Sequence, residues 1–325
     1  MRVVTIDEKS QHRALVISEM NCPDCHDEEI LIDVHAAGVN RADLLQRAGK
    51  YPPPPGASPI MGLEVAGTVK AKGKNVRGYS VGDRVCALLS GGGYADAVAV
   101  PSEHAFVLPP SLSFEQGAGL PEAFITAFLN LFIEGGLESG ERALVHGGSS
   151  GVGTAAIQLA RKVGARVGCT VGNERKAEKC RALGAELAIR YKEEDFVAEA
   201  KMWSPEGVDV VLDCVGGDYL AKNLDLLALR GRIVIIASMR GAVGQIDIPM
   251  LMKKRARIIG SVLRSRGAEE KRDIIARFWK QFGQYLTSGE LQVVVDSVYS
   301  LDQVEQAHAR MESSEHIGKI ILSMK

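Results

Sequence analysis

No stretch of this chain approaches the roughly 20 consecutive apolar residues that a membrane-spanning helix needs. Charge of one sign is missing too. The 39 Lys and Arg residues face 40 Asp and Glu, a formal net charge of -1, so nothing suggests a nucleic-acid or membrane surface. Aromatic residues make up only 5%, which together with the balanced charge argues against nucleic-acid binding. Cysteine is scarce: six in 325 residues do not make a disulfide framework. The opening MRVVTIDEKSQ lacks the apolar segment of a secretory signal. These absences lead to the expectation of a globular protein of the reducing cytoplasm.

What is present divides into two rhythms. At 325 residues the chain is long enough for two domains, since one core seldom grows past roughly 250–300 residues. Up to about residue 120, short strands alternate with turns: EILIDVHAAGVN, GLEVAGTVKAKGKNV, GDRVCALL and GGGYADAVAVP. That spacing predicts a small barrel-like β domain. Past residue 122, FITAFLNLFIEGGL reads as a helix with a glycine stop. Strand runs ERALVH, ARVGCTV, ELAIRY, VDVVLDCVG and GRIVIIA then alternate with helical segments, which implies a parallel sheet covered on both faces. The last part, with FWKQFGQYLTSGEL, SLDQVEQAHARMES and GKIILSMK, is placed back on the first domain. The expected fold is therefore α/β, with residues 1–121 and 258–325 in one domain and residues 122–257 inserted as the other.

The most informative stretch is LVHGGSSGVGTAAIQLARKVGA, residues 144–165. A compact apolar strand runs through glycine and serine into a helix carrying Val152, Ala155, Ala156, Leu159, Ala160 and Val163 on one face. Backbone amides at a helix N-terminus are unpaired and, with the helix dipole, attract an anion. Glycine lets that backbone approach a pyrophosphate without an intervening side chain. Gly148, Gly151 and Gly153 meet this need, and Ser150 stands where a middle glycine could. The hydroxyls of Ser149 and Ser150 are candidate donors to phosphate oxygens, and the amides from Ser150 through Val152 to Gly153 are the expected cradle. The bland alternative is a tight strand-to-helix turn with no ligand.

The second strand ends CTVGNERKAEK. An NAD-binding sheet usually places Asp or Glu at that tip, whereas a 2′-phosphate calls for cations. Here Gly172 and Asn173 hold the tip, Glu174 lies one step into the helix, and Arg175 and Lys176 follow. The pair of cations favours NADPH; the alternative is an ordinary solvated helix face. In NCPDCHDE, Cys22, Cys25 and His26 have no second C-x-x-C to complete a metal site, and they read as thiols in a surface turn.

The segments GVNRADLLQRAGKYPPPPGASPIMGLEVAG, SGGGYADAV, LPEAFITAF, GGSSGVGTAAIQLA and SVLRSR resemble the quinone oxidoreductase branch of the medium-chain dehydrogenase/reductase superfamily, closest to its tumour-suppressor-inducible NADPH-dependent type. The resemblance covers nearly the whole chain. It implies a GroES-like β-barrel domain interrupted by a Rossmann doubly wound domain, usually in a homodimer. Zinc-dependent members place a cysteine where this chain has Asn40 and a histidine where it has Leu63. Neither residue here is a competent zinc ligand, and between residues 80 and 110 only Cys86 remains of a four-cysteine lobe. No bound metal is expected.

The resemblance also implies roles for individual residues. The loops with Asn40 and Tyr51 lie around the nicotinamide. Asn40 has an amide to hydrogen-bond a substrate oxygen, and Tyr51 a ring to stack on a flat acceptor and a hydroxyl to bond it. The prolines of PPPPG stiffen that loop. Asp43 reads as structural, pairing with Arg41 or capping the helix DLLQRAG, and Glu64 also as structural. Thr126 resembles a threonine beside the nicotinamide ribose or carboxamide, and Tyr191 a residue near the adenosine phosphate. Val215 and Gly216 close the fourth strand and Ala237 and Ser238 the fifth, where dinucleotides lie. Leu263, Arg264 and Ser265 approach the nicotinamide from the last strand.

The expected activity is NADPH-dependent quinone reduction, with transfer from nicotinamide C4 in a cleft between the domains. Quinones accept electrons readily, so no strong acid or metal is called for. One alternative is an alkenal or enoyl double-bond reductase with Tyr51 as proton donor. Another is a non-catalytic NADPH-binding sensor or structural protein.

Overall fold

The structure is a computed structural model that describes residues 1–10 and 12–324. The chain forms two compact units, Met1–Ile125 with Arg264–Lys325, and Thr126–Leu263. It passes from the first to the second within helix Pro121–Phe128.

In the first unit the organising element is strand Glu29–Val39, whose 11 residues are mostly buried. It pairs antiparallel with Glu64–Lys72, with Ala97–Pro101 and with the distant strand Lys319–Ser323. Glu64–Lys72 continues the sheet to Arg84–Leu88 and then Ala105–Val107, while Val295–Ser300 lies parallel to Lys319–Ser323 at the other end. Two register shifts between Glu29–Val39 and Glu64–Lys72 bend the sheet, as closing a barrel requires. Ile30, Ile32, Val34, Val65, Val85, Tyr94, Ile320 and Leu322 fill its core.

The second unit is a six-stranded, wholly parallel sheet. Its spatial order is Leu187–Arg190, Arg166–Val171, Arg142–His146, Val208–Asp213, Leu227–Ile235, Arg257–Gly260. Numbered along this unit, the order is 3-2-1-4-5-6, the doubly wound arrangement whose switch point lies between strands Arg142–His146 and Val208–Asp213. The near-continuous apolar strands follow from burial on both faces.

Two local readings differ from the structure. Helix Gly151–Lys162 is buried at every position from Gly153 to Ala160, including Thr154, Ile157 and Gln158; small residues let it be covered beyond the predicted stripe, and Val152 and Val163 are only partly buried. The helix read in FITAFLNLFIEGGL is α-helical over Pro121–Phe128 and then widens to a π-helical turn over Leu129–Glu134. Carbonyls at this end are taken by Arg232, whose guanidinium donates to Gly135 O and Gly136 O at 2.6 Å each and pairs with Glu141 at 2.8 Å. A distant arginine thus satisfies the orphan carbonyls of a helix end.

Candidate active site

Within the second unit, the residues singled out from the sequence gather at the carboxyl ends of successive strands. Gly147–Ser150 follow strand Arg142–His146, Gly172 and Asn173 follow Arg166–Val171, and Tyr191 follows Leu187–Arg190. Val215 and Gly216 follow Val208–Asp213, Ala237 and Ser238 follow Leu227–Ile235, and Leu263 follows Arg257–Gly260. In open α/β sheets this edge is where ligands bind.

The glycine segment owes its shape to backbone requirements. Gly147 has φ +70°, a left-handed conformation that costs other residues energy. A Cβ on Gly153 would lie 2.3 Å from Gly147 O and 2.6 Å from Gly148 O, so the helix start can sit on the turn only without a side chain. Ser150 is the N-cap, its Oγ accepting from the Gly153 amide at 3.0 Å. That cap engages the Gly153 amide, so Gly151 and Val152 are the first-turn positions whose amides suit an anion. Ser149 is buried beside them.

At the next strand tip, Asn173 caps helix Glu174–Ala182 by accepting from the Lys176 amide at 3.1 Å. Glu174 faces cations, pairing with Arg181 at 2.6 Å and Arg190 at 3.4 Å. Arg175 is exposed and Lys176 is buried. The Tyr191 hydroxyl would lie 3.6 Å from a Cβ on Gly172, so the two loops meet. Asp213 shapes the fourth tip, its Oδ1 accepting from the amides of Val215 at 2.7 Å and Gly216 at 3.1 Å. Gly216 in turn lies against Ser238. A cavity of about 380 Å³ beside these loops is lined by Tyr191, Phe196, Tyr219, Lys222 and Arg240 among others. The rings of Phe196 and Tyr219 stack with centroids 4.8 Å apart, and Arg240 lies over Tyr219 at 5.6 Å.

The first unit holds a dense polar cluster. Asn40 stands at the N-terminus of helix Arg41–Arg47 and is committed on both sides: Oδ1 accepts from Lys319 Nζ at 2.6 Å, and Nδ2 donates to Glu64 Oε1 at 3.0 Å. Lys319 is itself paired with Glu64 Oε1 at 2.6 Å and donates to Val39 O at 3.1 Å. Glu64 Oε2 accepts from the backbone amide of Glu122 at 2.8 Å, in the first turn of helix Pro121–Phe128, where the helix dipole favours a carboxylate. Asp43 caps the helix Arg41–Arg47, accepting from the Asn40 amide at 2.8 Å, and also accepts from Tyr94 at 3.0 Å and the Gly62 amide at 3.2 Å. It does not need Arg41, which donates to Ser314 instead. Burial outweighs these donors and lifts its carboxyl to about 6.

Tyr51 is held from below. Arg264 donates to the Tyr51 carbonyl at 3.3 Å, to Gln46 Oε1 at 2.7 Å and to Ser90 O at 2.9 Å, and its guanidinium lies 5.2 Å from the Tyr51 ring centroid. Lys271 braces the same corner, donating to Ser90 Oγ at 2.5 Å and Arg264 O at 2.7 Å. Burial, and then the charge of Glu122, raise the Tyr51 phenol above its ordinary range. Ser265 is exposed just beyond Arg264, and Thr126 is buried on helix Pro121–Phe128.

Comparison with known proteins decides the family. Residues 26–110 match the alcohol dehydrogenase GroES-like domain, and residues 151–280 match the zinc-binding dehydrogenase family. Human quinone oxidoreductase is 33% identical over 99% of this chain and 97% of its own. The chain belongs to the medium-chain dehydrogenase/reductase superfamily. It is an oxidoreductase of that superfamily, with the α/β pairing of GroES-like barrel and Rossmann sheet. The crystal structure of Escherichia coli quinone oxidoreductase complexed with NADPH superposes with a TM-score of 0.87 at 30% identity, covering 99% of both chains. A mouse protein named synaptic vesicle membrane protein VAT-1 homolog-like is 32% identical over 100% of this chain and 82% of its own. Among the described residues, no helix of this chain is long and apolar enough to cross a membrane.

Asn40 and Leu63 stand where the resemblance places zinc ligands in the zinc-dependent branch of this superfamily. Asn40 is engaged by Lys319 and Glu64, and Leu63 is buried and carries no donor. Among the described residues, no three His, Cys, Asp or Glu side chains come together in a way that could hold a metal ion. Cys22 is exposed, and Cys25 donates to the Glu29 carbonyl at 3.3 Å, in a stretch without helix or strand. Sequence reasoning missed two contributors to the polar cluster: Lys319 and, through its backbone amide, Glu122. The legible signal for Glu122 was a lone acid inside the apolar run LPEAFITAF.

Proposed function

We propose that the protein is an NADPH-dependent, zinc-independent quinone oxidoreductase. The observation that carries this reading is the Gly147–Gly153 turn, built at the carboxyl end of the first strand so closely that position 153 has no room for a Cβ. The relatives named quinone oxidoreductase, and the NADPH complex of one of them, support the same cofactor.

In this reading the Gly151 and Val152 amides, with Ser149 and Ser150 beside them, hold the diphosphate, while Gly153, its amide taken by Ser150, lets the helix start sit close to the turn. Gly172, Asn173, Lys176 and Tyr191 surround the 2′-phosphate side of the adenosine, where no acid stands at the strand tip. Val215, Gly216, Ala237 and Ser238 line the path along the sheet edge, and Thr126, Leu263, Arg264 and Ser265 serve the nicotinamide end. When bound, NADPH supplies a hydride from its nicotinamide. The chain's own residues bind and orient the acceptor: Tyr51 offers its ring and hydroxyl, and Arg264 fixes its loop. Asn40, with its amide tied to Glu64 and Lys319, acts by keeping that ion pair in register beside the acceptor. The unit Met1–Ile125 with Arg264–Lys325 then serves as the acceptor domain and Thr126–Leu263 as the cofactor domain, a few residues beyond the boundaries at 121 and 257 expected from the sequence, because strand Arg257–Gly260 completes the parallel sheet. The exposed apolar side chains of Val243, Ile248, Met252 and Val262 favour a homodimer, and the balanced charge fits a cytoplasmic enzyme.

The test is NADPH oxidation by the purified protein with a naphthoquinone and, in parallel, with an alkenal, each repeated with NADH. Quinone reduction faster than alkenal reduction, and NADPH preferred to NADH, is the expected result. Faster alkenal reduction would make the protein a double-bond reductase, and tight NADPH binding with no acceptor reduced would make it a sensor.

A further inference from the structure

At the strand tips of the second unit, four buried polar side chains form one unbroken chain of hydrogen bonds. The Gly147 amide donates to Thr170 Oγ1 at 3.4 Å, and Thr170 Oγ1 lies 3.0 Å from His146 Nδ1. His146 Nε2 lies 2.8 Å from Asn223 Oδ1, and Asn223 Nδ2 donates to Asp213 Oδ2 at 3.1 Å. Asp213 Oδ1 accepts from the Val215 and Gly216 amides. The four side chains come from three neighbouring strands, Arg166–Val171, Arg142–His146 and Val208–Asp213, and from helix Tyr219–Leu226. All four residues are buried, and the rings of Phe196 and Tyr219 stand edge-on to the imidazole with centroids 5.2 and 5.0 Å away. The bonds run in one direction. Asn223 turns its NH2 to Asp213, so its oxygen faces His146, which carries its hydrogen on Nε2. Nδ1 then accepts from the Thr170 hydroxyl, and a lone pair of that hydroxyl is left for the Gly147 amide. Burial pushes the imidazole below its ordinary range, in keeping with the neutral form.

We infer that His146 is a positioning residue for the cofactor: through Thr170 on one side, and Asn223 with Asp213 on the other, it locks the glycine turn and the fourth strand tip into one arrangement. This role rests on the diphosphate site proposed above. Stability alone does not call for the chain, since apolar groups of the same shape in place of a buried hydrogen-bonded pair can be nearly neutral. What a fully paired buried network adds is rigidity. Both ends of this one lie at the carboxyl edge of the sheet. Gly147 opens the turn whose Gly151 and Val152 amides suit the diphosphate, and Val215 and Gly216 line the proposed path of the dinucleotide. Thr170 holds the turn twice, because its carbonyl also accepts from the Gly148 amide at 3.0 Å. A binding site is only as exact as the groups that hold its contacting atoms in place.

His146→Leu fills the space and breaks the chain, leaving the Thr170 hydroxyl and the Asn223 oxygen without their partner. The expected result is a folded protein whose NADPH dissociation constant, by fluorescence titration, rises about tenfold or more. With a naphthoquinone, the rise in the NADPH KM should exceed the fall in kcat. Thr170→Val should show the same loss of affinity, and Thr170→Ser, which keeps the hydroxyl, should retain most of it. His146→Leu combined with Thr170→Val should bind no more weakly than His146→Leu alone, because both act on one chain. A histidine that served only the fold would lower the unfolding midpoint and leave the affinity of the folded protein as it was. The cofactor-free readout is ¹⁵N NMR of histidine-labelled protein at neutral pH: the signals missing in His146→Leu should be those of a neutral imidazole protonated on Nε2. Wild-type NADPH affinity in folded His146→Leu or Thr170→Val, equal losses in Thr170→Val and Thr170→Ser, or a His146 protonated on Nδ1 would overturn the role. If His146→Leu does not fold, the Thr170 pair and the wild-type spectrum decide. A wild type with the expected tautomer that binds no NADPH would instead overturn the cofactor reading, and the positioning role with it.

Discussion

Lys319→Met is expected to lower the free energy of unfolding by about 3–5 kcal/mol, because breaking one side of a buried ion pair leaves the other charge uncompensated. Lys319 and Glu64 side chains are 5% and 0% exposed and lie 2.6 Å apart, so solvent can screen little of that loss. All three ammonium hydrogens have acceptors, in Glu64, Asn40 and the Val39 carbonyl. Methionine matches the stem's volume and removes only the charge and its bonds. Chemical denaturation at neutral pH reads the change. Adding Glu64→Gln should recover a large part of it, since the uncompensated carboxylate is then gone. A Lys319→Met protein as stable as the wild type would show that the pair contributes nothing to the fold.

The second large effect is on the cofactor side. A Cβ at position 153 meets two backbone oxygens, those of Gly147 and Gly148, well inside contact distance. Backbone atoms cannot swing aside as a flexible side-chain end can. Gly153→Val must therefore push the start of helix Gly151–Lys162 away from the turn, and overpacking of this kind costs about 1–3 kcal/mol. If the turn is the diphosphate site, that cost appears in NADPH binding as roughly a tenfold to hundredfold loss of affinity. Fluorescence titration with NADPH reads it, and circular dichroism of the same sample shows whether the sheet is intact. A folded Gly153→Val protein that binds NADPH as the wild type does would place the diphosphate elsewhere.

What could be read from the sequence follows from how local each determinant is. The strand–glycine–helix passage was legible because its constraints are local: Gly147 needs a left-handed backbone and Gly153 a missing Cβ within a few residues of one another. The parallel sheet was legible because buried strands read as apolar runs between amphipathic segments. The Asn40–Lys319 contact joins residues 279 positions apart, and Glu64 meets the Glu122 amide across 58. No periodicity reports such pairs. Asn40 could be read as a polar group at a strand-to-helix loop, but its commitment to a buried lysine could not. The same holds for the π-helical turn, whose carbonyls are taken by Arg232 from 96 and 97 positions away. Lys176 shows the converse. The sequence marks it as a cation near a strand tip, yet its amide is also the one that Asn173 caps, so backbone architecture and the proposed phosphate contact share one residue.

The central claim is that the turn from Gly147 to Gly153 grips the diphosphate of NADPH, and a crystal structure of the protein grown with NADPH tests it most directly. The account predicts diphosphate oxygens within hydrogen-bond distance of the Gly151 and Val152 amides, with the 2′-phosphate toward Lys176 and Tyr191. Well-ordered NADPH bound away from that turn, or a turn left empty at saturating NADPH, would contradict it.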